Sequence, residues 1–229
     1  MKKRKKLPHL TPLILGACLL TFVSCGSDDD DDGGTQAPPQ QEEQQTGTFR
    51  TILTPLNSNV SGLITGTAEV LYEGDTFEVK INVTGAPEAA HPQFIYLGTS
   101  CPETPADANQ DSFIDGIEAQ STAGKILIPL DDELIAQSAG GNFPSGANYQ
   151  YSESTSFLAM FGELKLPDDN ATDSITKLGI NDDINLAGKV IIIHGVPSTT
   201  NLPETVRGVD GASAQETLPI ACGVLERQP

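Results

Sequence analysis

From Phe77 to Val83 the apolar residues Phe77, Val79, Ile81 and Val83 alternate with Glu78, Lys80 and Asn82. A period of two predicts a half-buried antiparallel strand with one wet face. The preceding stretch GLITGTAEVLYEG is also rich in Val, Ile and Thr, and the turn signal EGD at 73–75 separates the two runs. PQFIYLG at 92–98 reads as a further strand. GKILIPL and AGKVIIIHGV, at 124–130 and 187–196, are short continuous apolar runs, the pattern of strands buried on both faces. TLPIACGVL at 217–225 closes the series. STSFLAMFGELKL at 154–166 has the spacing of a short amphipathic helix, with Phe157, Met160 and Phe161 on one side. Many strands and little helix predict an all-β Greek-key sandwich or barrel.

The first residues change the picture from a cytosolic domain to an exported one. MKKRKK is a basic start, and LTPLILGACLLTFV is an apolar stretch too short for a membrane span. FVSC resembles the lipobox of bacterial lipoproteins, which implies lipidation at Cys25 and a signal peptide over 1–25. LGAC at Cys18 fits a lipobox less well, because cutting there leaves a very short apolar core. An ordinary signal peptide or an uncleaved anchor is the plainer alternative. Residues 26–47 are acidic and lack apolar periodicity, as a solvated tether does. The serine and aspartate run behind Cys25 also resembles a surface-export signal of some lipoproteins. The expected location is the bacterial envelope, anchored by lipid to the outer membrane, either within the envelope or displayed on the cell surface. Membrane contact is expected through the lipid anchor alone.

Charge narrows the partners. Five of the thirteen basic residues lie within the first six positions, leaving eight against thirty-one acidic residues, a net −23 after the signal. Such a chain repels nucleic acid and anionic lipid and attracts divalent cations. The remaining 48–229 is enough for one domain with a real core. Its two cysteines, Cys101 and Cys222, are most simply a disulfide in an oxidising compartment, with two buried free thiols as the alternative.

Residues 107–118, DANQDSFIDGIE, carry a specific metal pattern. Calcium takes six to eight hard oxygen ligands, and a twelve-residue loop offers them at positions 1, 3, 5, 7, 9 and 12. Those positions hold Asp107, Asn109, Asp111, Phe113 through its carbonyl, Asp115 and Glu118. The match predicts an EF-hand-like calcium loop with Glu118 chelating through both oxygens. Position six, usually glycine, is Ser112, where a left-handed backbone costs about 1–2 kcal/mol. CPETPA ahead of the loop does not read as an entering helix. The expectation is therefore a lone, structural loop, with an affinity of about 10⁻⁴–10⁻³ M. An acidic surface turn without metal is the bland alternative.

HPQFIYLGTSC, AGKVIIIHGV and LPIACGVL together resemble the copper–zinc superoxide dismutases and the related chordin-type domains. That family places His-x-His on a strand followed by a cysteine. It has a later strand of the type GRxxVVHE, and a C-terminal strand whose cysteine closes the disulfide. The resemblance implies a superoxide dismutase-like fold over most of 48–225, with an insert at about 102–183 and a Cys101–Cys222 bridge. It does not carry the active site. The His-x-His positions are Phe94 and Tyr96, and His194 alone matches a ligand position. His91 and His194 are the only histidines after the signal, too few for an imidazole-rich copper or zinc site. The family's anion-guiding arginine aligns near Pro219. Copper and zinc are therefore not expected.

His91, just before Pro92, reads as a polar cap or surface residue, and His194 as a satisfied core histidine. If the alignment holds, Phe94, Tyr96 and His194 form a vestigial copper pocket, with a Tyr96–His194 hydrogen bond in place of the metal. No G-x-S-x-G elbow occurs, and the carboxylate pairs in DDEL and PDDN read as solvated loop charge. The expected function is a non-catalytic, calcium-stabilised, lipid-anchored binding or structural module with a protein or glycan ligand. The alternative is a copper/zinc superoxide dismutase or an envelope metal-binding protein.

Overall fold

The computed structural model describes residues 46–134, 142–165 and 184–229, all within one unit, Gln41–Pro229. Cys18, Cys25, the signal, nearly all of the tether and PDDN lie outside the described residues. In chain order the elements are β1 (Gly47–Pro55), α1 (Ser58–Ser61), β2 (Thr65–Glu73), β3 (Thr76–Thr84) and β4 (Gln93–Tyr96). A 3₁₀ turn at Thr104–Ala106 precedes α2 (Gly116–Ala123), β5 (Ile126–Pro129) and β6 (Asn148–Ser156). Then come α3 (Phe157–Lys165), β7 (Val190–His194), α4 (Ala214–Thr217), β8 (Pro219–Val224) and β9 (Glu226–Arg227). Among the described residues no helix is long and apolar enough to cross a membrane.

The strands form one curled antiparallel sheet in the order β5-β4-β7-β8-β1-β2-β3-β6, with β9 on β1. β3 pairs with β6 across the β4–β5 pair, as in a Greek-key crossover, and β4 pairs with β7 although β5 and β6 come between them in the chain. β1 belongs to both halves: its first seven residues pair with β2, and Thr54–Pro55 pair with Cys222 and Ala221 of β8. Phe49, Val70, Val79 and Ile81 from one half meet Ile95, Leu127, Ile191 and Ile220 from the other in a single buried core. The fold is all-β, as the alternating and continuous apolar runs predict.

β5 and β6 stand at the two ends of the strand order, and side chains close the seam between them. Tyr149 Oη donates to Gln93 Oε1 at 3.2 Å, and Tyr151 Oη donates to the Asp131 carbonyl at 2.9 Å. Nearer one end, backbone bonds from His91 to Pro144 and from Ala86 to Ala147 complete the closure.

Three strands depart from the sequence expectation. β1 and β6 are not among the strands that the sequence pattern predicts, and Ser154–Ser156 belong to β6 rather than to the helix. Phe157 begins α3, where it is buried with Met160 and stacks on Tyr72 at 3.9 Å. Asp75, in the hairpin turn, accepts from Leu158 N and holds that start in place. β9 is too short to have been visible in a periodicity. The region 102–183 is also more than an insert, because it supplies β5 and β6 to the sheet.

Candidate functional site

β4, β5, β7 and β8 are buried on both faces. Their outer face carries Phe94, Tyr96, Val190, Ile192 and Cys222, which pack against Ile114, Ala119 and Ala123 of the covering segment. Gly98 lets α2 come close, since a Cβ there would lie 2.4 Å from the Ala123 carbonyl oxygen. The Cys101–Cys222 disulfide fastens the same segment to β8 across 121 residues of chain.

Beneath this cover the structure brings Phe94, Tyr96 and His194 together. Tyr96 Oη lies 2.9 Å from His194 Nε2, and His194 Nδ1 lies 2.8 Å from the Thr217 carbonyl oxygen. A carbonyl only accepts, so Nδ1 carries the proton, and Nε2 accepts from the phenol. The ring is thus the neutral Nδ1–H tautomer with both nitrogens engaged. Burial drives the His194 pKa down from 6.5 to about 4, against the opposing pull of the Thr217 hydrogen bond. Burial also raises the Tyr96 hydroxyl well above its ordinary value, helped by the Asp210 charge. Phe94 sits edge-on to His194 at 5.6 Å and to Phe143 at 5.4 Å, so aromatic rings fill the space around the pair. At neutral pH neither group is a free base, a nucleophile or an open metal ligand.

His91 is not the surface cap its place before Pro92 suggests, for it has no exposed surface. Its ring stacks on Tyr149 at 5.4 Å. Nδ1 lies 3.0 Å from the His194 carbonyl oxygen and Nε2 lies 3.0 Å from that of Pro87. Both neighbours are carbonyl oxygens, so a neutral ring donates to one of them, and both ring nitrogens are enclosed by backbone.

The loop at 107–118 bends back on itself through its own carboxylates. Asp107 accepts from Asp111 N and Ser112 N, Asn109 Oδ1 accepts from Asp111 N, and Asp111 Oδ1 accepts from Phe113 N. Ser112 takes φ 71°, the left-handed backbone expected at position six, and Gln110 takes φ 59°. Asp115 caps α2 by accepting from Glu118 N, while Glu118 accepts from Asp115 N and, across the loop, from Ala108 N. Both carboxylates are buried. Burial alone would raise the Asp111 carboxyl, but bonds from Thr205, Phe113 and Asn109 together hold it below the usual range. As the loop stands, among the described residues no three histidine, cysteine, aspartate or glutamate side chains are gathered closely enough to hold a metal. Phe113 and Ile114 turn inward to the two hydrophobic clusters.

Three residues that sequence reasoning missed hold this loop on the barrel. Asn57 Nδ2 donates to the carbonyls of Ile114 and Pro219, each at 2.9 Å, and its Oδ1 accepts from Ile114 N at 2.9 Å. One side-chain amide thereby pairs with both backbone groups of Ile114, as a neighbouring strand would. Thr205 donates to Asp111 Oδ2 at 2.6 Å, and Arg207 donates to Asp115 Oδ2 through its backbone N at 3.1 Å and its Nε at 3.2 Å. Arg207 was the one with a sequence signal, being among only eight basic residues beyond the signal peptide. No family model matches this chain, and the curated proteins include none that is similar to it.

Proposed function

We propose that this chain is a non-catalytic, lipid-anchored envelope or cell-surface module, binding or structural in role. On this reading it is built on a superoxide dismutase-like fold whose catalytic metal position is now occupied by protein. The observation that carries the reading is the hydrogen bond from Tyr96 Oη to His194 Nε2, with Nδ1 committed to Thr217. The single histidine at a ligand position has no lone pair left, and a metal would have to displace a buried phenol to reach it. The Greek-key crossover, the Cys101–Cys222 bridge and the aromatic packing of Phe94 support the same reading.

Calcium bound at Asp107, Asn109, Asp111, Phe113, Asp115 and Glu118 would brace the segment that covers this pocket. The left-handed Ser112 and the inward-turned carboxylates suit that role. Its ligands are hard oxygens, the donor set calcium prefers over copper or zinc.

Metal analysis of the dialysed protein, paired with a superoxide assay in added copper, tests both parts. The expected result is calcium bound above the level of a millimolar-calcium dialysis buffer, as an affinity of about 10⁻⁴–10⁻³ M requires, with neither copper nor zinc and background turnover. Robust superoxide consumption overturns the non-catalytic reading. The melting temperature should rise with calcium and fall with chelator, and Glu118→Gln should lose most of that response. A melting curve indifferent to calcium removes the calcium part alone.

A further inference from the structure

The outer face of β1, β2 and β3 carries a groove of about 670 Å³, walled on one side by β8 and β9. Its origin lies in an interruption of the β1 ladder. Arg50 pairs with Glu226 and Thr54 with Cys222, four residues further along on each strand, yet no pairing is made between them. The same register sets Ile52 opposite Val224. Ile52 is 74% exposed, a large apolar side chain beside the polar Arg50, Glu69, Lys80 and Asn82.

Beside this apolar strip runs a row of charges that cancel. Glu226, Arg50, Glu69 and Lys80 are successive cross-strand neighbours, alternating in sign. Arg50 is paired with Glu69 at 2.5 Å, and Lys80 with Glu78 along its own strand at 2.8 Å. In the adjacent row, Asn82 is exposed, and its amide has no hydrogen-bond partner among the described residues. In a chain this acidic, a groove with as many cations as anions does not select a metal ion, and it offers a phosphate no excess of positive charge. It presents donors and acceptors in matched pairs beside a small apolar platform.

We propose that this groove binds a neutral saccharide. A pyranose ring has one face of C–H groups to lie on Ile52 and Val224. Its vicinal hydroxyls can bond the paired Arg50 and Glu69 and the free amide of Asn82. The proposal rests on the binding-module reading and names its ligand class.

Affinity electrophoresis of the full chain in gels containing a β-glucan, a mannan or a xylan tests it, with heparin and polygalacturonate as charged controls. Retardation by at least one neutral polymer and by neither charged one is expected. Ile52→Asp and Asn82→Ala should each weaken retardation at least about tenfold at unchanged melting temperature, because both side chains are exposed. Absence of retardation in every neutral gel overturns the site, as does retardation that both variants leave intact or that only the charged polymers produce. The superoxide assay is independent of these outcomes, so failure of the site is distinguishable from failure of the module reading.

Discussion

The two halves of the barrel use the same strand geometry and treat their outer faces in opposite ways. On β1, β2, β3 and β6 that face is wet and carries Arg50, Glu69, Lys80 and Asn82. On β5, β4, β7 and β8 it is dry, and it holds Phe94, Tyr96, Val190 and Ile192 under a loop, a helix and a disulfide. One face is open to a ligand. The other spends its side chains on fixing the cover. The difference shows why a histidine on the dry face is neutral and saturated, while charged residues on the wet face cost the fold little.

The comparison breaks most severely if the cover comes loose. Replacing Cys101 and Cys222 by alanine should lower stability by about 4–5 kcal/mol on the chain-entropy account, as denaturant midpoints would show. The dry half should lose amide-exchange protection before the wet half does. Uniform loss across both halves would mean that the cover and the barrel unfold as one unit.

Acid should strike the dry half next. His194 is neutral when folded, with its pKa at about 4, whereas the unfolded chain protonates near the ordinary 6.5. Protons therefore bind the unfolded state preferentially between those values, so stability is full above about pH 6.5 and falls as pH drops towards 4. The loss is on the order of 3 kcal/mol. Asp75, Asp111 and Asp132 have lowered values, and their contribution disappears only below their ordinary 3.8, a separate window. Denaturant titrations at stepped pH check the slope, and His194 ring resonances that stay constant from pH 7 to about 5 would identify its source.

Asn57→Ala sharpens the comparison at the joint between the halves. It leaves both backbone groups of Ile114 without their partner and puts alanine at φ 49°, a left-handed backbone. A loss of about 2–3 kcal/mol is expected in equilibrium unfolding. At the small end, Arg50→Ala or Glu69→Ala on the wet face should change stability by less than about 1 kcal/mol, because the pair is solvent-screened.

The dry half was the more legible of the two. Ile191, Ile192 and Ile193 in succession leave no wet face, and two cysteines suggest their own bridge. β1 hid because Ile52 breaks its alternation by pointing outwards beside inward-facing Leu53. β6 hid because its inward residues are the tyrosines of the seam, and the run then passes directly into a helix. Asn57 gave no signal at all, since its partners lie 57 and 162 positions away. His91 was misread for a related reason: local context resembles a cap, and its burial comes from Tyr149 and from the far end of β7. Pairwise chemistry between distant segments is what a linear pattern leaves out.

The seam between β5 and β6 has an optical consequence. The protein contains no tryptophan and four tyrosines, Tyr72, Tyr96, Tyr149 and Tyr151, and all four are buried. Burial holds the Tyr96, Tyr149 and Tyr151 hydroxyls above their ordinary value of 10.0. Ultraviolet absorbance in alkali therefore reports the barrel itself, because phenolate bands from the seam tyrosines emerge as the two edges separate.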